Sequence, residues 1–168
     1  GYEYNLEFNN TFTVVRLPVA LPHIEYDFGK ATLRQVAQTD LDNLAKVLES
    51  NPDLRVKLRA HTDHIGSAKA NLELAQARAQ SCVNYLTEKG IAANRLAAEG
   101  LGETQPHVMT KTDGRLKAGD KLTAIYINKL PKRWQEKARQ YNRRTDFEKM
   151  KSQSELDQEK RDKQFGTY

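Results

Sequence analysis

Asp63, Asn71 and Arg78 are the residues whose types and spacing best suit a single chemistry. Asn71 and Arg78 stand seven positions apart in a stretch with helical periodicity. They therefore lie about 20° apart around the helix axis, on one face. Leu74 falls between them. Asp63 sits in the loop feeding that helix, close to its N-terminus, where free N–H groups and the positive end of the dipole gather. A guanidinium fork takes a carboxylate through paired hydrogen bonds, and a carboxylate takes an ammonium. Together the groups suit a zwitterion. The plainer alternative is an internal Asp63–Arg78 ion pair that only orders the loop.

Other candidates carry less. His61, Asp63 and His64 include ligand types that bind zinc, but His23 and His107 are far away in sequence. The alternative there is a strand end followed by a turn aspartate. Gly100-Leu101-Gly102 lacks the third glycine and the following helix of a phosphate loop, and reads as a turn. Cys82 lies on an apolar helical stripe, so it reads as core. No serine elbow and no catalytic carboxylate pair is visible. No enzyme activity, catalytic residue, cofactor or metal is expected.

Several elements must position these groups. TFTVVRLPVA and HIEYDF are rich in β-branched and aromatic residues and read as extended. Leu33, Val36, Ala37, Leu41, Leu44 and Leu48 form one helical stripe, which Asn51-Pro52 stops. LRVKLRAH alternates apolar and basic residues, as a half-buried strand does. A second helix runs from about Ser67 to Lys89 and ends at Gly90. Its predicted core stripe is Leu72, Ala75, Ala79, Cys82, Val83 and Leu86. NRLAAEG predicts a short strand, and GLGETQP opens a long loop. LTAIYINKL and KRWQEKARQYN read as helices split by Pro131, and RTDFEKM as a closing strand. KSQSELDQEKRDKQFGTY is almost devoid of apolar residues and reads as a charged frayed helix or a disordered tail.

Helices that alternate with strands predict a two-layer α+β sandwich with the helices on one sheet face. The 168 residues fit one domain of ordinary size. Expected boundaries are a lead-in with a strand over 1–20, the domain over 21–150 and a tail over 151–168. An insert at about 108–141 carries Leu122, Ile125, Tyr126, Leu130 and Trp134 as its packing residues.

Composition excludes several classes. No run approaches the roughly 18 apolar residues of a membrane span. One cysteine excludes an internal disulfide. GYEYNLEFNN has no signal-peptide character, and with no starting Met the chain reads as a piece of something longer. The net charge of +5 is unevenly spread. Residues 1–110 carry 11 Lys/Arg and 13 Asp/Glu, whereas residues 111–149 carry 12 and 5. A basic segment with Trp134 and Tyr141 raises nucleic acid or another polyanion as an alternative partner.

HTDHIGSAKANLELAQARAQSCVNYLTEKGIAANRLAAEGLGETQP resembles the signature block of OmpA-like, C-terminal peptidoglycan-binding domains, the family that includes Pal and MotB. IEYDFGKATLR resembles their first-strand motif, NPDLRVKLRAHTD the strand leading to the site, and Asn142-Arg143-Arg144 their closing Asn-Arg-Arg. The resemblance spans about residues 23–149. It implies a βαβαβ sandwich that holds the diaminopimelate of the stem peptide. The family's Thr-Asp step falls on Thr62-Asp63, its Asn on Asn71 and its Arg on Arg78. The closing motif adds Arg144, and the first-strand loop falls on Phe28-Gly29-Lys30. The family's acidic residue in that loop is Gly29 here, so any contact from it comes from the backbone.

The long basic insert resembles the versions in Bacteroidetes envelope proteins, some of which anchor lipoproteins or type IX secretion machinery. The implied role is non-catalytic. It is a peptidoglycan anchor in the periplasm, tied to the outer membrane and to other envelope proteins through regions outside this chain. No nucleic-acid partner and no membrane span within the segment is expected.

Overall fold

Alternation and helical periodicity bury one face each, and the architecture follows from joining those faces. The computed structural model describes residues 2–8, 11–17, 19–21, 26 and 30–166. The strands are β1 (Tyr2–Phe8), β2 (Thr11–Leu17), β3 (Val19–Leu21), β4 (Arg55–His61), β5 (Leu96–Gly102) and β6 (Thr145–Met150). The helices are α1 (Gln35–Ser50), α2 (Ala68–Glu88), α3 (Ala124–Asn128), α4 (Lys132–Asn142) and α5 (Gln153–Phe165). The HIEYDF expectation lies outside the described residues except for Tyr26.

β1 and β2 form an antiparallel ribbon, and the main sheet has the order β3-β6-β4-β5. β4 and β5 are parallel, joined through α2. β6 closes the fold from inside, antiparallel to both β3 and β4, with Leu58 opposite Phe147. Leu41, Leu44 and Leu48 of α1 and Cys82, Val83 and Leu86 of α2 pack on Val56, Leu58 and Phe147 of the sheet. The other face carries charge: Arg59 pairs with Asp146 and Glu148 at 2.9 and 2.6 Å, and Lys57 with Glu99 at 3.2 Å. The α+β two-layer fold is therefore the one expected.

Local signals set the helix ends. Ser67 caps α2, its hydroxyl accepting from Ala70 N–H at 3.1 Å. Gly90 beyond it takes φ +99°, which an L side chain resists. Arg95 Nη2 donates to the Leu48 and Asn51 carbonyls at 2.7 and 2.8 Å, satisfying the end of α1.

Some expectations need correction. Leu72 is 47% exposed and Val36 48%. At Leu72 the helix backbone, not the side chain, faces the sheet: a Cβ on Gly102 would lie 3.1 Å from Leu72 N. Val36 sits in the first turn of α1, where Leu33 from the preceding segment packs on the core instead. Gly100, Leu101 and Gly102 belong to β5 rather than to a turn. Gly100 lets α2 approach, since a Cβ there would come within 2.2 Å of Gln76 N. For the tail the structure takes the helical one of the two forms expected, over residues 153–165 with Ser152 as the cap.

The insert builds a second core from Met109, Leu116, Leu122, Ile127 and Ala138, with Tyr126, Leu130 and Trp134 packed against it. Ile127, not Ile125, points inward, and Ile125 is 72% exposed. α3 is a single short turn, so only one of its two isoleucines can face the core.

Candidate functional site

β4 delivers the chain to the site. Beyond His61 the backbone leaves the sheet, and a set of short hydrogen bonds fixes the turn. Asp63 Oδ1 accepts from Ile65 N–H at 2.8 Å, and Thr62 Oγ1 donates to the Asp63 carbonyl at 2.8 Å. Asn71 Nδ2 donates to the carbonyls of Asp63 and Ile65 at 3.2 and 3.1 Å. Asn71 thus uses its amide to hold the loop against the first turn of α2.

Arg78 lies on α2 and is 7% exposed. Its Nε donates to the Lys30 carbonyl at 3.1 Å, and its guanidinium carbon stands 4.7 Å from the Tyr26 ring centre. The Tyr26 hydroxyl donates to the Arg78 carbonyl at 3.1 Å. Burial pushes the Tyr26 hydroxyl far above its ordinary pKa, helped by Cys82, so the ring stays neutral. Burial likewise pushes the Cys82 thiol up to about 11, which suits its predicted place in the core.

The internal Asp63–Arg78 ion pair is not what forms. Asp63 Oδ2 accepts instead from Arg143 Nε, at 2.5 Å. Arg143 Nη1 also reaches Glu136 Oε1 at 2.9 Å. Arg78 is left without an ion-pair partner among the described residues. Burial lowers its pKa, with Tyr26 and Asp63 pulling the other way. A buried guanidinium of this kind is costly unless a counter-charge reaches it.

Thr62, Asp63, Asn71, Leu74 and Arg78 line one cavity of about 710 Å³. Its far wall is Glu136 and Arg139 of α4 together with Arg143. The cavity therefore offers both signs of charge around a leucine side chain. Arg144 does not line it: its Nη2 donates to the Gln105 carbonyl at 2.9 Å, and it faces a neighbouring cavity. Phe28 and Gly29 lie outside the described residues.

Among the described residues no cluster of three or more His, Cys, Asp or Glu side chains could hold a metal ion. His61 is turned to Asp146, Nε2 to Oδ2 at 3.0 Å, and His107 stacks on Tyr141.

The sequence profile of the OmpA family matches residues 25–118. The chain belongs to the OmpA family. It is 35% identical over 103 residues to outer membrane protein P5 of Haemophilus influenzae, covering 61% of this chain and 29% of that protein. It is 44% identical over 84 residues to outer membrane protein A of Klebsiella aerogenes, covering 48% of this chain and 24% of that one. The chain thus spans under a third of the length of these OmpA-family relatives. Its fold is similar to that of the peptidoglycan-associated lipoprotein from Burkholderia pseudomallei. That likeness has a TM-score of 0.53 at 24% identity and covers 76% of this chain and 88% of that one.

Sequence reasoning missed Tyr26, Glu136, Arg139 and Arg143 as cavity residues. Tyr26 and Arg143 both lay inside motifs that the family resemblance had marked. Glu136 and Arg139 belong to the insert, past the residues matched by the OmpA profile, and only the fold of α4 shows that they face Asp63.

Proposed function

We propose that this domain binds peptidoglycan without catalysis, taking the diaminopimelate end group of the stem peptide as a zwitterion. The ligand carboxylate lies on Arg78 and its ammonium on Asp63. The observation that carries this reading is the buried Arg78 guanidinium, which has no ion-pair partner among the described residues and shares a cavity with a carboxylate. Two of its terminal nitrogens match a carboxylate in bidentate fashion. Thr62 and Asn71 hold the turn that presents Asp63, and Leu74 packs on the ligand's methylenes. Arg143 withdraws from Asp63 as the ammonium arrives.

Family membership supports the same reading, since the relatives are outer membrane proteins and one fold neighbour is described as peptidoglycan-associated. In this reading the domain works in the periplasm and tethers a larger envelope protein to the wall. The resemblance of the insert to Bacteroidetes versions carries the finer placement, an envelope lipoprotein of the type IX secretion kind. The sequence of the complete gene product checks that placement.

The polyanion reading has weaker support. Lys137 pairs with Asp113 at 3.1 Å, Arg139 with Glu136 at 2.9 Å, and Arg143 with Asp63 and Glu136. Arg133 and Lys137 both lie over the Trp134 ring, which leaves less of it for a base to stack on.

Co-sedimentation with purified diaminopimelate-type sacculi tests the proposal. Asp63→Ala and Arg78→Lys should each weaken binding about thirtyfold or more, because each leaves a ligand charge unpaired in a part-buried site. Undiminished sedimentation of both variants overturns it.

A further inference from the structure

The insert sorts its charges. Residues 108–141 hold nine Lys/Arg and three Asp/Glu. All three acids are engaged within the domain. Asp113 accepts from Lys137 at 3.1 Å and from the Tyr141 hydroxyl at 2.8 Å, and Asp120 from the Tyr126 hydroxyl at 2.5 Å. Glu136 is held by Arg139 and Arg143. Arg115, Lys117 and Arg133, by contrast, are exposed and enter no ion pair among the described residues.

These three cations line one open cavity of about 540 Å³, together with Gly114, Pro131 and Trp134. Local structure aims them there. Leu116 is fully buried in the second core, so its neighbours Arg115 and Lys117 turn outward. Asp113 and Leu116 exchange backbone hydrogen bonds at 2.7 and 2.9 Å, which closes the turn between them. Gly114 in that turn takes φ +54° and makes room for Trp134, since a Cβ there would collide with the indole ring. The Arg133 guanidinium carbon stands 5.4 Å from the same ring, which holds the cation in place without a counter-charge.

This cavity shares no residue with the one that holds Asp63 and Arg78, yet α4 lines both. Arg133 faces the basic cavity and Glu136, three residues on, faces the larger one. They stand about 4.5 Å apart along the helix axis. Among the described residues no carboxylate lines the basic cavity. An open basin of exposed cations suits an extended anion with several charges rather than one small ion. A polymer seated in the larger cavity and running past α4 meets that basin next. We propose that the Arg115–Lys117–Arg133 cavity is a second contact with the wall, which takes carboxylates of a neighbouring stem peptide. The inference rests on the peptidoglycan reading above, because the end group in the larger cavity brings the polymer to α4. The insert then favours the multivalent wall over a single soluble peptide.

Two triple variants test this. Arg115→Gln/Lys117→Gln/Arg133→Gln removes the basin's charge, and Lys160→Gln/Arg161→Gln/Lys163→Gln removes the same net charge from exposed positions of α5. Co-sedimentation with diaminopimelate-type sacculi at low and high salt is set beside calorimetry on a soluble diaminopimelate peptide, which offers a single stem. The insert variant should bind sacculi about tenfold more weakly at low salt and lose most of the salt dependence. It should keep wild-type affinity for the soluble peptide and a wild-type melting curve. The α5 variant should match the wild type throughout. Unchanged sacculus binding by the insert variant overturns the proposal, and so does an equal loss in the α5 variant, which would make net charge the whole effect. Capture of phosphatidylglycerol vesicles through these residues, with sacculus binding unaffected by their loss, overturns it in favour of a lipid surface. All three outcomes leave the end-group site standing. A wild-type domain that does not bind the soluble peptide overturns the end-group reading, and this inference with it.

Discussion

Arg143 and Asp63 lie 80 positions apart and are joined by a charged hydrogen bond, Nε to Oδ2 at 2.5 Å. The same guanidinium reaches Glu136 on α4. One side chain from the turn before β6 therefore ties the β4 loop to the insert. It also occupies the carboxylate that a ligand ammonium would use.

That competition has a measurable consequence. The Arg143 side chain is 39% exposed but the Asp63 side chain only 11%, so the pair is screened on one side alone. Arg143→Ala should lower the melting temperature modestly and tighten diaminopimelate binding several-fold, because Asp63 no longer has to be released. Calorimetry on the variant checks this. An affinity loss as large as that of an Arg78 variant would mean that Arg143 holds the ligand instead of competing with it.

The corrected α2 stripe gives a stability test. Leu86 is fully buried and Leu72 is 47% exposed. Leu86→Ala should cost about 2–5 kcal/mol, and Leu72→Ala under about 0.5 kcal/mol. Urea melts of the two variants decide it, and similar costs would mean that α2 is rotated from the face described.

Much of the fold was legible because its signals are local. Ser67, Gly90 and the buried stripe from Ala75 to Leu86 mark α2 in a single stretch of chain. The place of β6 was not legible: RTDFEKM reads as a strand, but its position between β3 and β4 depends on partners at Val19–Leu21 and Arg55–Ala60. For α5 a local signal decides between the helix and the disordered tail that the composition leaves open. Ser152 and Glu155 form the S-x-x-E pattern of a capping box, and the Ser152 hydroxyl accepts from Glu155 N–H at 3.1 Å. At the site, one helix face brought Asn71 and Arg78 together from sequence. Arg143 and Glu136 join Asp63 only through long-range packing that no spacing rule encodes.

Separate cores should unfold separately. Ile127 is fully buried in the insert cluster, which shares no residue with the cluster under α1 and α2. Ile127→Ala should speed hydrogen exchange at residues 109–142 while α2 amides keep their protection. Equal loss of protection in α2 would show that the two cores form one cooperative unit.

Acid should destabilise the fold in a defined window. Burial, with Arg144 and Arg59, holds His61 below the ordinary histidine pKa despite its bond to Asp146. Burial, with Arg144 and His61, does the same to His107. Below about pH 6.5 the unfolded chain takes up protons at these rings that the folded chain does not. Stability is therefore flat above that pH and falls as the pH drops below it. Melting temperatures should decline from pH 6.5 to 5, and the double variant His61→Gln/His107→Gln should flatten that decline. A melting temperature that rises on acidification contradicts the assignment.

In the proposed site Arg78 reads a carboxylate on a diamino acid. Within a stem peptide a lysine side chain keeps the ammonium and lacks that carboxylate, so two peptides that differ only at this residue isolate one contact. Isothermal titration of the domain with two stem peptides, one carrying diaminopimelate and the other lysine at the same position, measures it directly. The diaminopimelate peptide should bind about thirtyfold or more tightly than the lysine peptide, and Arg78→Lys and Arg78→Ala should shrink this ratio toward one. Equal affinity of the wild-type domain for the two compounds, or a full preference surviving in Arg78→Ala, would contradict it.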